Sequence, residues 1–295
     1  LRCDIDNPSF DSQTKDYLNT PSSKFGSTCK ISDQVITKLA KMGVMDMAVS
    51  LSEIKTNNSL KKNDGKKVKN IRGITKLTDA NFAGTNKSKE CILILCEGDS
   101  AKTGIISGLV KEDRNYIGVY PLKGKIMNVA GEKREKIYNN AEIKDIIQIL
   151  GLKSDTDYSD QSKIDKLLRY GKVIFMTDQD LDGSHIKALG VNLFYNEWGC
   201  LLKIPQFLGF MNTPIIKATK GKQIKEFYNE QLYNEWKDSL TSTTGWNIKY
   251  YKGLGTSTGK EFKEYLNNRK LIYFTYSDDT CHDRIDLAFN KKRPD

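Results

Sequence analysis

The chain has 295 residues, which at ~150 residues per domain points to roughly two domains. Its 47 Lys and Arg against 37 Asp and Glu leave a net charge of +10, so a polyanionic partner is favoured, although composition does not choose between DNA, RNA and acidic lipid. With 28% charged residues and no apolar run approaching the ~18 residues that a bilayer crossing needs, the sequence argues against a membrane protein. Cys3, Cys29, Cys91, Cys96, Cys200 and Cys281 form no C-x-x-C pair and read as reduced thiols, hence a cytosolic or nuclear setting. A chain that starts at Leu1, with no signal peptide, is expected to be a piece of something longer.

In chain order, a turn-rich entry at Asn7, Pro8 and Ser9 precedes Ser32, an expected N-cap. From Asp33, the apolar residues Val35, Ile36, Leu39, Ala40, Ala48 and Val49 recur at helical spacing, with a break expected near Gly43. Between residues 55 and 76 the lysines crowd together with Asp64 the only acid among them, which reads as a basic arm or linker. Ile92 to Leu95 is a strand candidate, followed by Glu97-Gly98-Asp99-Ser100 and a helical run through Leu109. A helix is expected from Ile137 to Leu150, stopped by Gly151. Lys172 to Thr177 is a second strand, leading through an acidic turn into a helix from about Ser184 to Leu202. This alternation implies a mainly parallel sheet with covering helices, whose sites form at the carboxyl ends of the strands. Gln223 to Leu240 has a further helical pattern.

Both strands end in acid: Glu97 after the first, and Asp178, Asp180 and Asp182 after the second. Residues two apart in extended chain point the same way, so Asp178 and Asp180 could converge, with Gly183 letting the chain turn into a helix. If the strands are parallel neighbours, Glu97 lies beside them. Such carboxylates repel strongly unless cations neutralise them, and an all-oxygen donor set suits Mg2+ or Ca2+ rather than Zn2+. An EF-hand loop is excluded, because its twelfth position, counted from Asp178, is Leu189 rather than Glu. A loop that merely caps a helix stays open on this segment alone.

Four ordered segments narrow the choice: Glu97-Gly98-Asp99-Ser100-Ala101, Pro121-Leu122-Lys123-Gly124-Lys125-Ile126-Met127-Asn128-Val129, Asp178-Gln179-Asp180-Leu181-Asp182-Gly183-Ser184-His185-Ile186 and Tyr250-Tyr251-Lys252-Gly253-Leu254-Gly255-Thr256-Ser257-Thr258. Together they resemble the Toprim region of a type IIA DNA topoisomerase, in the eukaryotic and large-virus form. Asn7 to Lys15 resembles the end of that family's transducer domain, where a Gln13-Thr14-Lys15 loop reaches into the ATP site.

The resemblance implies an α/β fold, a Rossmann-like, mainly parallel Toprim sheet with flanking helices. Residues 1–66 would complete the ATPase and transducer region, 67–90 a basic linker, 91–209 the Toprim domain and 210–295 a C-terminal α+β extension. The nucleotide-binding lobe would lie before Leu1 and the tyrosine nucleophile after Asp295. By the same resemblance Glu97, Asp178 and Asp180 are catalytic and, with Asp182, hold two Mg2+ ions. Lys123, Gly124, Lys125, Asn128, His185 and Lys252 would contact DNA, and Gln13, Thr14 and Lys15 would contact ATP in the full-length enzyme. Lys123 departs from the family's usual Arg, exchanging a planar fork for a point charge. Gly253 and Gly255 are expected to give the Lys252 turn backbone conformations closed to other residues.

The implied partners are double-stranded DNA and a second copy in the full-length homodimer, with no membrane. The implied compartment is the nucleus, or the cytoplasm for a viral protein. Two alternatives share part of the pattern: another Toprim nuclease or primase, against which the Pro121 and Tyr250 segments argue, and a DNA-binding scaffold with a vestigial metal site.

Overall fold

The computed structural model describes residues 4–26, 30–240, 242–278 and 280–293. Cys91, Cys96, Cys200 and Cys281 are free thiols, whereas Cys3 and Cys29 lie outside the described residues. No helix among the described residues is long and apolar enough to cross a membrane. The chain forms two compact units, Leu1–Thr56 and Asn57–Asp295.

In the first unit a bridge between Phe10 and Leu18 closes a loop that carries Gln13, Thr14 and Lys15. Helix α1 (Asp33–Lys41) follows Ser32, which has the extended backbone of an N-cap but makes no side-chain capping bond. Gly43, at φ +68°, then breaks the helical path, and α2 (Val44–Lys61) resumes it.

The second unit contains β1 (Ile92–Glu97), α3 (Gly98–Gly108), β2 (Ile117–Leu122), α4 (Arg134–Asn139), α5 (Ala141–Leu150), α6 (Gln161–Leu167), β3 (Lys172–Met176) and α7 (Leu181–Trp198). It continues with β4 (Leu208–Met211), β5 (Ile216–Lys220), β6 (Gln223–Phe227), α8 (Glu230–Asp238), β7 (Asn247–Tyr250), α9 (Gly259–Asn267), β8 (Leu271–Tyr273) and α10 (Thr280–Phe289). The main sheet has the order β2-β1-β3-β4-β8, parallel throughout except for β8. Strand residues alternate between two cores, as a sheet covered on both faces requires. Leu93 and Leu95 pack with Ile143, Ile147 and Phe194, while Ile94 and Cys96 pack with Ile105, Phe262 and Leu266. Strands β6-β5-β7 form a separate antiparallel sheet whose small core includes Ile216, Phe227 and Tyr233.

Several sequence expectations shift. The helix expected from Ile137 is two helices, because the Asn140 side chain accepts from the amides of Glu142 and Ile143 and starts α5 afresh. Gly151 ends α5 at φ +77°, as a left-handed cap. The helical pattern from Gln223 begins as a strand. Ile224 and Phe227 fit helical spacing, but Lys220 pairs with Gln223 across a two-residue turn whose Gly221 has φ +58°, and a hairpin forms instead. The helix α8 starts only at Glu230, capped by Asn229.

Residues 67–90, read as a basic linker, run against the main sheet. Thr78 bridges Val119 on the sheet edge, and Ala80 and Ala83 are buried. The fully buried Arg169 holds this segment, donating to Val68 O at 2.7 Å and Lys69 O at 3.3 Å, to Ile149 O at 2.8 Å and to the Asp79 carboxylate. The Tyr170 hydroxyl donates to the other Asp79 oxygen. Removing the guanidinium would strand a carboxylate and three carbonyls, so Arg169→Met should cost about 3–5 kcal/mol in urea denaturation. A loss below about 1 kcal/mol would show that solvent replaces these bonds.

Helix α9 opens with a capping box between Thr258 and Glu261. Burial alone would raise the Glu261 carboxyl, but Lys249, the Thr258 amide and the Tyr251 hydroxyl outweigh it and lower it to about 2. A folded value below the unfolded one stabilises the protein above the unfolded value, and this contribution is lost as pH falls towards about 2. Glu261→Gln should therefore be less stable than the parent at neutral pH, the difference closing as acid is added; a gap in urea midpoints that stays constant with pH would contradict this.

Candidate active site

Parallel pairing of β1 with β3 sets Cys96 level with Met176, so Glu97 ends its strand level with Thr177, one residue before Asp178. Both strands end at the carboxyl edge of the sheet, and each leads into a helix, α3 and α7. Thr177 is fully buried and its hydroxyl donates to Gly183 O at 3.0 Å, which folds the acidic loop back on itself. Gly183 has no room for a side chain, because a Cβ there would overlap the Asp178 carbonyl.

Glu97 ends β1 partly buried. Its Oε2 is buried and has no hydrogen-bond partner. Burial pushes its carboxyl above the usual range, and the charge of Asp178 adds to this; the Asp178 amide works in the opposite direction, and Asp180 and Asp182 contribute further repulsion. The three aspartates are engaged separately. Asp178 Oδ1 accepts from the Leu254 amide at 2.7 Å. Asp180 caps α7, accepting from the Gly183 amide at 2.7 Å. Asp182 is exposed and paired with Lys125 at 2.8 Å, which lowers its carboxyl.

Among the described residues no three His, Cys, Asp or Glu side chains stand close enough to hold an ion as placed. The donor set nevertheless fits a hard divalent cation. It consists of carboxylates alone, and one of its oxygens, Glu97 Oε2, is buried without a donor.

The remaining expected residues are distributed around this edge. Lys123 is exposed, its amide donating to Glu142 at 2.6 Å. Gly124 follows at φ +143°. Asn128 is committed internally: it donates to Phe289 O at 3.0 Å and accepts from Asn192 and Ala130. His185 is exposed on the first turns of α7, beside Asp182. Lys252 is exposed in the turn after β7. The glycines of that turn act differently from expectation. Gly253 has φ 173°, ordinary extended backbone, and its role is to make room, since a Cβ would overlap Asp178 Oδ2. Gly255 has open space around it and no positive φ. In the first unit, Gln13, Thr14 and Lys15 are exposed; Thr14 donates to Asp16 at 2.6 Å and Lys15 has φ +58°.

Two residues of the site were not singled out in the sequence. Lys187 is 8% exposed, lies over the Phe210 ring and donates to Gln179 Oε1 at 3.4 Å. Burial lowers its ammonium, against the pull of Asp180 and Glu97. It lies seven residues after Asp180 with Gly183 between them, a helical spacing legible in the sequence. Glu142, which anchors the Lys123 loop and is itself raised by burial, carries no such signal.

Similarity to known proteins extends over the chain. A family model of the Toprim domain matches residues 61–206, and one of the C-terminal associated domain of Toprim matches residues 211–295. The chain is 46% identical over 297 residues to DNA topoisomerase 2 of Bombyx mori, covering 100% of this chain and 19% of that protein. It is 47% identical over 294 residues to DNA topoisomerase 2 of Arabidopsis thaliana, covering 98% and 20%. The crystal structure of the Plasmodium falciparum topoisomerase II DNA-binding, cleavage and re-ligation domain matches with a TM-score of 0.71 at 47% identity, over 77% of this chain and 31% of that one. The chain thus spans about a fifth of the length of these curated relatives. With the sheet order, the acid-bearing strand ends and this similarity in hand, the chain belongs to the type IIA DNA topoisomerases, of which it carries the Toprim domain and its C-terminal associated domain.

Proposed function

We propose that this chain supplies the Mg2+-binding half of the DNA cleavage and religation site of an ATP-dependent type IIA topoisomerase, an enzyme that changes DNA topology by double-strand passage. The observation that carries the reading is the buried, unpartnered Glu97 Oε2 at the carboxyl edge of a parallel sheet, within the field of three aspartates. Glu97 and Asp178 would hold one Mg2+, and Asp178 and Asp180, supported by Asp182, a second. When bound, these ions supply Lewis-acid stabilisation for charge on the departing 3'-oxygen and the phosphoryl oxygens.

The chain's own residues bind, orient and move a proton. Glu97, its carboxyl raised by burial, is suited to give a proton to the departing 3'-oxygen in cleavage and to take it back from the 3'-hydroxyl in religation. Lys123, Gly124, His185 and Lys252 face the DNA backbone, and Asn128 fixes the loop between them with one Nδ2 hydrogen left to donate. Lys125 has two acidic partners to choose between: Asp182 now, and a DNA phosphate when the duplex arrives. An exposed pair such as this is worth at most about 1 kcal/mol, so phosphate competes for the lysine easily and releases the Asp182 carboxylate.

The tyrosine nucleophile and the nucleotide lobe come from other parts of the full-length homodimer. Residues 1–66 complete its ATPase and transducer region, with Gln13, Thr14 and Lys15 directed to ATP; 67–90 connect to the Toprim domain at 91–209, and 210–295 extend it. The working compartment is the nucleus, or the cytoplasm for a viral enzyme.

With the neighbouring domains present, Glu97→Gln should lower Mg2+-dependent cleavage and religation by roughly 100-fold. In the isolated chain, Mg2+ at about 100 times its Kd should add ~2.7 kcal/mol of stability to the parent and much less to the variant. Parent-like relaxation together with an unchanged Mg2+ shift in melting temperature would sink the assignment. Duplex affinity of the isolated chain should fall steeply as salt rises from about 50 to 200 mM, on the order of 10³-fold if six or more phosphates are neutralised. A flat response would count against a surface that tracks phosphates.

A further inference from the structure

The basic run before the main sheet has no part in the chemistry above. Lys62, Lys66, Lys69 and Arg72 are exposed, and none forms an ion pair among the described residues. Three of them, Lys62, Lys66 and Arg72, line a concave cleft of about 450 Å³ beside α5, together with Asp64 and Gln148. Asp64 does not neutralise them through its Oδ1, which accepts from the Ser154 amide at 2.6 Å.

A solvated polycationic arm would need no scaffold, yet this one has an extensive one. Gly65 presses against the end of α5, where a Cβ would overlap Ile147 O, and its amide donates to Leu152 O at 2.6 Å. Gln148 donates to Asn63 O and Asp64 O at 2.8 and 3.0 Å. The buried Arg169 holds the carbonyls of Val68 and Lys69. Only Lys67 turns inward, to Asp165 O. The fold thus spends a fully buried guanidinium on fixing a ribbon whose outward side chains are unpaired cations. Lys62, Lys66 and Arg72 stand around the cleft and the exposed Lys69 lies outside its lining, so the positive charge runs on past the cleft along the ribbon. A compact polyphosphate seated in the cleft would meet Asp64 among the cations.

We infer that the 62–72 ribbon is a second contact for the phosphate backbone of double-stranded DNA, outside the cleavage motifs. This rests on the DNA-acting function proposed above. The test compares two triple variants of the 295-residue chain: Lys66→Glu, Lys69→Glu, Arg72→Glu on the ribbon, and Lys111→Glu, Lys222→Glu, Lys237→Glu at exposed positions elsewhere. Anisotropy titration with duplex DNA at several salt concentrations should show Kd raised about 10-fold or more and the salt slope reduced by about 3 for the ribbon variant, with little change in slope for the control. Duplex DNA should also protect Lys62, Lys66 and Lys69 of the parent from acetylation, a readout that does not depend on any variant folding.

Equal losses in both triples, or no protection of these lysines, would overturn the inference while leaving the functional reading intact. Saturable protection by tripolyphosphate but not by duplex would reassign the cleft to a small anion. A parent chain that binds no duplex at all would remove both claims together.

Discussion

Negative charge at a buried strand end is the constraint around which this molecule is arranged. Parallel register brings Glu97 to the same level as the start of the Asp178 loop, and burial strips water from an oxygen that finds no donor. Leaving a buried acceptor unmet costs about 1–3 kcal/mol, more if it is charged. Such a cost persists in a stable fold when the site is kept ready for something else, and a hard cation is the group that this donor set would accept.

The surrounding elements spread the remaining charge instead of concentrating it. Asp178 is tied to an amide from the C-terminal associated domain, Asp180 to the first turn of its own helix, and Asp182 to a lysine from the loop after β2. Lys187 is buried nearby, its ammonium lowered by burial against the pull of Asp180 and Glu97. Each of these engagements uses one oxygen of its carboxylate. The second domain is therefore part of the site as well as an appendage: it supplies the Leu254 amide and the bare Gly253 backbone that lies against Asp178.

Much of this was legible because the signals are local. Apolar runs ending in acid identified β1 and β3, helical periodicity identified α3 and α7, and the four motifs placed the chain in its family. What escaped depends on partners distant in sequence. Ile224 and Phe227 obey a helical rule, yet pairing with β5 overrode it. The fully buried β2 had no assignment of its own, since an apolar hexapeptide does not say which strand it will join. The lysine-rich stretch was read as a linker from composition, while the residue that immobilises much of it, Arg169, lies about a hundred positions away. The importance of Gly253 was visible but its reason was not, because only the folded chain brings the Asp178 carboxylate against it.

The bond from Leu254 to Asp178 joins positions 76 residues apart. On the ribosome, at ~5–20 residues per second, the acidic loop must wait about 4–15 s for that amide to be synthesised. Throughout that interval the nascent loop has its own helix cap but no clasp from downstream. Completion of the cleft is therefore a late event in biosynthesis, and a translational pause between the two segments would lengthen the time that this cluster of acids spends half-built.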